Sequence, residues 1–507
     1  MKKLFVLLGG FCALCFVACS NFQLAGGDMG VVSLSIGDNL AREIRSAAAS
    51  RNVADGTYTL TASIRGEYSD SQTVTVADGN YSGVTFTFED VPVGKRIILD
   101  LTAKTGNNYI WYGNSGKHMV VSGINNLNVA VGRVSGVLMW KLENHNILTA
   151  PYGAYDSPAE RRITFGASDS SQGRPFCFDS DGNLYVMPSD VFTVKKYDLQ
   201  LDGTYVDSET DISTNTQAAF NHLAYDSVAD VLYGIGENGA LKCFKTNSQG
   251  FDQVQGDTVN SGSYLGLAAH NNVVYTAETG LYEGGEDLNA VHYATVKSYS
   301  ISIEGSDAGD TAQPTLKVVK ENSFLLPSFC TSNYTYQMIY HEGALYLLLR
   351  RFEINNASVD NPVEHYSLGA LAKIDPNTLT LDTSFGNGGY LGLSSSPVTF
   401  NDRKDSGKTF NVTYHGSTAG NDTFFGPVGF VAVMPKKLVI GDAGFAMSAD
   451  GADTVSLTKK SRVVTVDLET LAFDATDIDT SYYQSDDNYS SISRKASGYS
   501  YIVIANN

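Results

Sequence analysis

Apolar and polar residues alternate along much of this chain with a period of two, the spacing of half-buried β-strands. Val31-Val32-Ser33-Leu34-Ser35-Ile36, Tyr58-Thr59-Leu60-Thr61-Ala62-Ser63-Ile64 and Val84-Thr85-Phe86-Thr87-Phe88 show it first. Ile97 to Ala103 and Leu127 to Val131 continue it. Turn residues separate these runs about every 8–12 positions, which predicts a β-sandwich over 31–133. Asn39 to Ser50, rich in Ala, reads equally as a helix or as a solvated loop.

Beyond Gly136 a longer phrase takes over and recurs five times between residues 176 and 473. Each copy is a short apolar strand, a tight polar turn, a second apolar strand, and a third strand ending in an acidic or polar turn. The clearest begins Phe176-Cys177-Phe178-Asp179-Ser180-Asp181-Gly182-Asn183-Leu184-Tyr185-Val186 and continues at Val194 to Leu199. First and second strands are predicted at 176–187, 223–236, 267–277, 338–350 and 431–440. Third and fourth strands are predicted near 193–206, 240–255, 294–320, 369–382 and 461–474. Long insertions fall at 279–293, 351–368 and 394–425. Third strands look alike, as in Ala372-Lys373-Ile374-Asp375 and Val464-Thr465-Val466-Asp467. All-β repeats of this size stack radially, so 134–507 reads as a β-propeller with one blade per copy.

Five blades would leave an open edge. Val137 to Leu142 and Arg161 to Phe165 look like third and fourth strands, and 490–496 and 499–504 like first and second. The expectation is therefore six blades, the last closed by strands from both ends of the propeller segment.

Composition supports an all-β reading: Gly at 49 and Tyr at 29 are high, and charged residues are only 18%. These proportions suit sheets joined by many turns. The net charge of −19 argues against a nucleic-acid partner, since phosphate contacts need clustered Lys and Arg.

Met1-Lys2-Lys3 followed by apolar Leu4 to Val17 has the form of an export signal. Its end, Phe16-Val17-Ala18-Cys19-Ser20, resembles the bacterial lipobox, in which the Cys is lipidated and becomes the new N-terminus. That resemblance implies a signal peptide over 1–18, a lipid on Cys19 and a polar tether over 19–30. Ser20, rather than Asp, after the Cys implies the outer membrane of a bacterial envelope. Of the six cysteines three then remain, Cys177, Cys243 and Cys330, an odd and scattered set that reads as free thiols.

The Phe88-Glu89-Asp90-Val91-Pro92-Val93-Gly94 stretch, with the strands around it, resembles small bacterial Ig-like or transthyretin-like modules. The repeat pattern resembles the NHL and gluconolactonase-like propellers, and Leu381 to Gly389 a short repeat of secreted bacterial propellers. Six-bladed lactonases of that superfamily hold a calcium ion in the channel with Glu, Asn and Asp. No such set is singled out by spacing here, so no metal or other cofactor is expected.

Other candidate chemistry has plainer readings. Asp179-Ser180-Asp181-Gly182-Asn183 lacks the EF-hand spacing and its Glu, and reads as a hairpin turn. Gly416-Ser417-Thr418-Ala419-Gly420 has Thr where a nucleophile elbow needs Ser. His222, His270 and His341 each lie near the first strand of a blade. The loops entering those strands line one mouth of a propeller channel, and carry Arg174, Phe220, His222, Tyr264, Tyr336 and Phe425. An aromatic, polar mouth suits a protein, peptide or glycan ligand. The reading is a membrane-anchored, non-enzymatic binding module. A metal-dependent lactonase-type hydrolase or lyase, and a structural or adhesive surface protein, are the alternatives.

Overall fold

In a computed structural model the described residues are 28–37, 57–77, 81–106, 108–141, 146–153, 162–164, 175–187, 193–200, 205–213, 220–236, 240–245, 252–256, 259, 266–280, 293–302, 314–327, 337–355, 364–393, 397–401, 409–413, 424, 427–442, 445–449, 455–459 and 462–477. All the regular elements among them are strands. The chain divides into two compact units, the first from segments up to Val131 and the second mainly from Gly132 onward.

The strands up to Arg133 form two sheets, of which Ala103–Tyr112 and the residues from Gly132 belong to the second unit. One holds Thr85–Pro92, Met29–Ser35 and Gly123–Asn126, in that order. The other runs Asp70–Ala77, Thr57–Gly66, Arg96–Thr105, Asn108–Met119, Ala130–Arg133. Alternation decides which side chains are inside: Val32, Leu34, Leu60, Ala62, Phe86 and Phe88 are all at most 2% exposed. Asn125, buried beside the parallel pairing of Gly123–Asn126 with Met29–Ser35, donates its amide to the carbonyls of Val31, Val121 and Gly123. Its Oδ1 accepts the Val121 amide. A buried polar side chain is affordable there because its hydrogen-bonding groups are met.

In the second unit, five sheets follow one another from residue 176. Blade one is Phe176–Phe178, Leu184–Val186, Thr193–Leu199 and Tyr205–Ser213. Blade two is Phe220–Asp226, Val231–Gly236, Leu241–Lys245 and Asp252–Gln253. Blade three is Gly266–His270, Val273–Gly280, Tyr293–Ser302 and Thr315–Leu325, with Gln255–Gly256 added at its outer edge. Blade four is Gln337–His341, Ala344–Asn355, Glu364–Ile374 and Tyr390–Leu391. Blade five is Pro427–Met434, Lys437–Asp442, Arg462–Asp467 and Phe473–Asp477. The four main strands of each blade form an antiparallel meander, and Gln255–Gly256 pairs parallel to the last strand of blade three. The first strands of blades one to four pack in succession, and blade five packs on the second strand of blade four. This is a propeller, read from the strand order alone.

Among the described residues, parts of the insertions pair as hairpins. The one at 351–368 lengthens the second and third strands of blade four, which stay in register from Leu345↔Ile374 to Asn355↔Glu364. Pro397–Asn401 pairs with Thr409–Thr413, and Phe445–Ala449 with Val455–Lys459.

A sixth sheet orders as Arg162–Thr164, Asn146–Ala150, Val137–Lys141. Here the structure departs from the sequence pattern. Asn146–Ala150 pairs with both neighbours, so Val137–Lys141 and Arg162–Thr164 are not adjacent. Val137–Lys141 lies beside the first strand of blade five, an inner position rather than a third. The expected partners 490–496 and 499–504 fall outside the described residues. Ser135 joins this sheet to blade five, its amide donating to the Val433 carbonyl at 3.0 Å and its hydroxyl accepting the Val433 amide at 2.8 Å. Arg133 reaches Asp181 of blade one at 3.1 Å.

The turns explain the repeated acids. Asp375 and Asp467 each end a third strand and cap the turn that follows. Asp375 accepts the amides of Asn377 and Thr378, and Asp467 those of Glu469 and Thr470. Both turns close through a leucine in the left-handed region, Leu379 at φ 58 and Leu471 at φ 60.

Candidate functional site: an aromatic channel in the propeller

The inner strands of blades one to five surround a cavity of about 400 Å³. Half-buried rings reach it from four consecutive blades: Phe178, Tyr225, His270 and Tyr340. Between them lie small or aliphatic residues such as Ala224, Ala269, Met338 and Ile339. The narrow inner strands permit this, because alternate side chains turn into the channel while the others fill the space between blades.

The rings are held by stacking across blades. His270 and Tyr340 lie nearly parallel, with centroids 3.7 Å apart and planes 9° off. Tyr275 extends the stack at 6.4 Å. Tyr225 stacks on Tyr185 of blade one at 5.8 Å and 13°, and its hydroxyl donates to Asp230 at 2.5 Å. Offset stacks of this kind fix ring orientation beyond what burial alone achieves.

Hairpin turns form one end of the channel. In blades three and four they are two-residue turns, Asn271-Asn272 at φ 50 and 60 and Glu342-Gly343 at φ 45 and 86. Left-handed turns match the twist of paired strands, and Asn and Gly adopt them at little cost. Glu342 pairs with the Lys436 ammonium at 3.2 Å and accepts the Lys436 amide at 2.9 Å. Asp179 accepts the amides of Asp181 and Asn183, and also the Asn183 side chain, all at 2.9 Å. Burial raises the Asp179 carboxyl against the lowering effect of those Asn183 bonds. The Asp-Gly-Asn segment is therefore a self-satisfied turn, with Gly182 at φ 77.

Burial lowers the pKa of two histidines of the lining. Burial holds His222 at about 4, and its Nε2 has no hydrogen-bond partner. Burial also lowers His341, with Glu342 opposing and Lys436 reinforcing the shift, and its Nε2 is likewise unpartnered. The Cys177 thiol, also in the lining, is pushed up by burial and by Asp179. Among the described residues no group of three His, Cys, Asp or Glu is arranged to hold a metal ion.

Of the residues named from the sequence, His222 lines the cavity. Phe220 does not: it is 3% exposed and packs with Tyr185, Met187, Val194, Ile212, Leu232 and Phe244 between blades one and two. Its strand bulges between Phe220 and His222, which turns the two side chains to different surroundings. Arg174, Tyr264, Tyr336, Phe425 and the lipid-site Cys19 lie outside the described residues. Tyr225, His270 and Tyr340 come from the ends of the first strands rather than from the entry loops. The signal for them was there, an aromatic or His one or two residues before each hairpin turn.

Residues 329–491 match a family described as the TdpA C-terminal domain. No curated protein matches the chain. A structural genomics protein of unknown function from Bacteroides thetaiotaomicron is 10% identical, with a TM-score of 0.30, over 82% of this chain and 78% of that one. Apo AztD from Citrobacter koseri is 8% identical, with a TM-score of 0.30, over 68% and 94%. The WD40 domain of Neurospora crassa Pan2 is 9% identical, with a TM-score of 0.26, over 76% and 86%. These superpositions are loose, and say nothing of residues or ligands.

Proposed function

We propose that this is a lipid-anchored envelope protein whose propeller binds a ligand in its central channel. The observation that carries the reading is the cavity of about 400 Å³ walled by half-buried rings from four consecutive blades. Such a concave, mainly apolar site with a few polar groups is what small ligands and peptide or glycan ends require. The two carboxylates of the lining, Asp179 and Glu342, are already engaged by their own turn and by Lys436. That favours binding over lactonase-type hydrolysis, which needs converging free carboxylates. The anchor is Cys19, with attachment at the outer membrane.

The test is an array of oligosaccharides and peptides probed with the wild-type chain and with Tyr340→Ala. A spot bound by the wild type and lost with the variant supports the channel. Binding that Tyr340→Ala leaves intact places recognition elsewhere and ends this reading. Labelling with a fatty-acid analogue tests the anchor: label should appear in the wild type and disappear in Cys19→Ala.

A further inference from the structure

We propose that the end of the N-terminal sandwich around Met29 and Ile124 rests on the lipid bilayer, with an apolar tip inserted at the headgroup boundary. This rests on the reading of Cys19 as a lipid anchor, and adds the surface through which the folded chain meets the membrane.

The first observation is a patch. Met29, Met119, Val121 and Ile124 are 49%, 52%, 54% and 69% exposed. The segments that carry them converge. Half-buried Val31 pairs with Ile124, and Met29 pairs with Pro92. Partners in a sheet turn their side chains to one face. Val32 and Leu34 fill the interior, so Met29, Val31 and Ile124 share the outer face. Val120 is buried, which turns Met119 and Val121 outward on either side of it. Gly30 lets that segment come close, since an added Cβ there would lie 2.6 Å from the Val121 carbonyl oxygen. Asn125 fastens the three segments, donating to the Val31 and Val121 carbonyls at 3.2 and 2.9 Å and accepting the Val121 amide at 3.0 Å. The apolar side chains stand on this fixed backbone and stay in water unless something covers them.

The second observation is where the patch stops. The same outer face turns polar away from this end. Ser33 pairs with Thr87 and Asn126, and Ser35 with Thr85, the last two joined through their hydroxyls at 3.0 Å. An apolar end on an otherwise polar face suits a plane met end-on, as at the surface of a bilayer.

The third is the tether, which selects the bilayer over a protein partner. The chain enters the sheet at the patch itself: the carbonyl of Asp28, next to Met29, accepts the Val93 amide at 3.0 Å. Cys19 lies nine residues before Asp28, a span of about 30 Å at full extension. A lipid on Cys19 keeps the patch within that distance of the membrane. A contact too weak to hold a free protein then suffices to orient an anchored one. Charges of both signs border the patch. Glu89 and Asp90 are exposed in the bulge opposite Val31, and Lys95 gives its carbonyl to the Val120 amide. The contact is therefore apolar rather than electrostatic.

The full chain, lipidated at Cys19, is reconstituted in phosphatidylcholine vesicles with brominated acyl chains, which quench tryptophan on contact. Ile124→Trp reports from the patch and Thr85→Trp from the polar end of the same face. The wild type supplies the background of Trp111 and Trp140. The expected result is quenching several-fold stronger in Ile124→Trp than in Thr85→Trp, unchanged by raised salt. Adding Met119→Ser and Val121→Ser to Ile124→Trp should remove most of it, with near-ultraviolet dichroism showing that the fold is kept. Equal quenching in the two reporters, in a chain whose Cys19 takes the fatty-acid label, overturns the docking and leaves the anchor standing. Quenching that raised salt abolishes overturns the apolar contact. A blue-shifted Ile124→Trp signal that bromine does not quench means that a second copy or another protein covers the patch, and overturns the proposal too. A chain that takes no label at Cys19 removes the anchor, and the docking falls with it.

Discussion

The carboxylate of Asp226, at the end of the first strand of blade two, accepts the backbone amide of Asn272 in the first turn of blade three at 2.7 Å. Its other oxygen accepts the amides of Val228, Ala229 and Asn271 at 3.0, 3.1 and 2.9 Å. One fully buried side chain thus closes its own turn and ties it to the next blade. Glu342 likewise links the turns of blades four and five, by accepting the Lys436 amide.

Asp226→Ala should therefore destabilise the propeller by about 3 kcal/mol, because four amides lose a charged acceptor. Asp226→Asn keeps one acceptor oxygen and should cost about 1–2 kcal/mol. Urea unfolding followed by near-ultraviolet dichroism measures both. Equal effects from the two variants would show that the charge and second oxygen contribute little.

Phe220 is core rather than site. An added Cβ on Gly234 would lie 2.8 Å from three atoms of its ring. Gly234→Ala should cost about 1–3 kcal/mol by overpacking, and Phe220→Ala about 3–5 kcal/mol by leaving a cavity. Combining Gly234→Ala with Phe220→Leu should cost less than the two singles added together, since they share one space. Channel binding should survive Phe220→Leu, and its loss would return Phe220 to the site.

His222 makes stability depend on pH. Its imidazole is held at about 4, against an ordinary 6.5, by burial. Between those values the unfolded chain takes up a proton that the folded chain refuses. Stability is therefore full above about 6.5 and falls as pH drops toward 4, by up to about 3 kcal/mol. The lowered His341 works in the same direction. Unfolding midpoints at pH 7 and pH 4.5 should differ less in His222→Gln than in the wild type.

Arg462 and Asp442 form a buried pair across blade five, with Nη2 and Nε at 2.9 and 3.1 Å from one carboxylate oxygen. Asp442→Ala strands the guanidinium and should cost about 3–5 kcal/mol. Adding Arg462→Met should recover much of that loss, because an apolar pair of similar volume needs no solvation. Thermal melts of the two variants make the comparison.

Alternating residues and turn chemistry are local, so much of the fold could be read without coordinates. The hairpins of blades one, three and four appear where strand phrases bracket Asp-Gly-Asn, Asn-Asn and Glu-Gly, because those turns dictate register over a few residues. The similar ends of the third strands at Asp375 and Asp467 also mark a shared turn, since the acid caps amides only two or three positions on. The sixth sheet was less legible. Asn146–Ala150 follows Val137–Lys141 after a short polar link and carries no strong alternation of its own. Its place is set by pairing on both sides.

The sequence by itself determined the all-β class, the blade rhythm and the wide supply of aromatic residues, since each depends on near neighbours in the chain. Only the tertiary structure decided which rings face the channel. A one-residue shift turns a strand side chain to the other face, and the bulge between Phe220 and His222 makes that shift. It sends Phe220 into the core while His222 lines the cavity with Tyr340, 118 residues further along the chain.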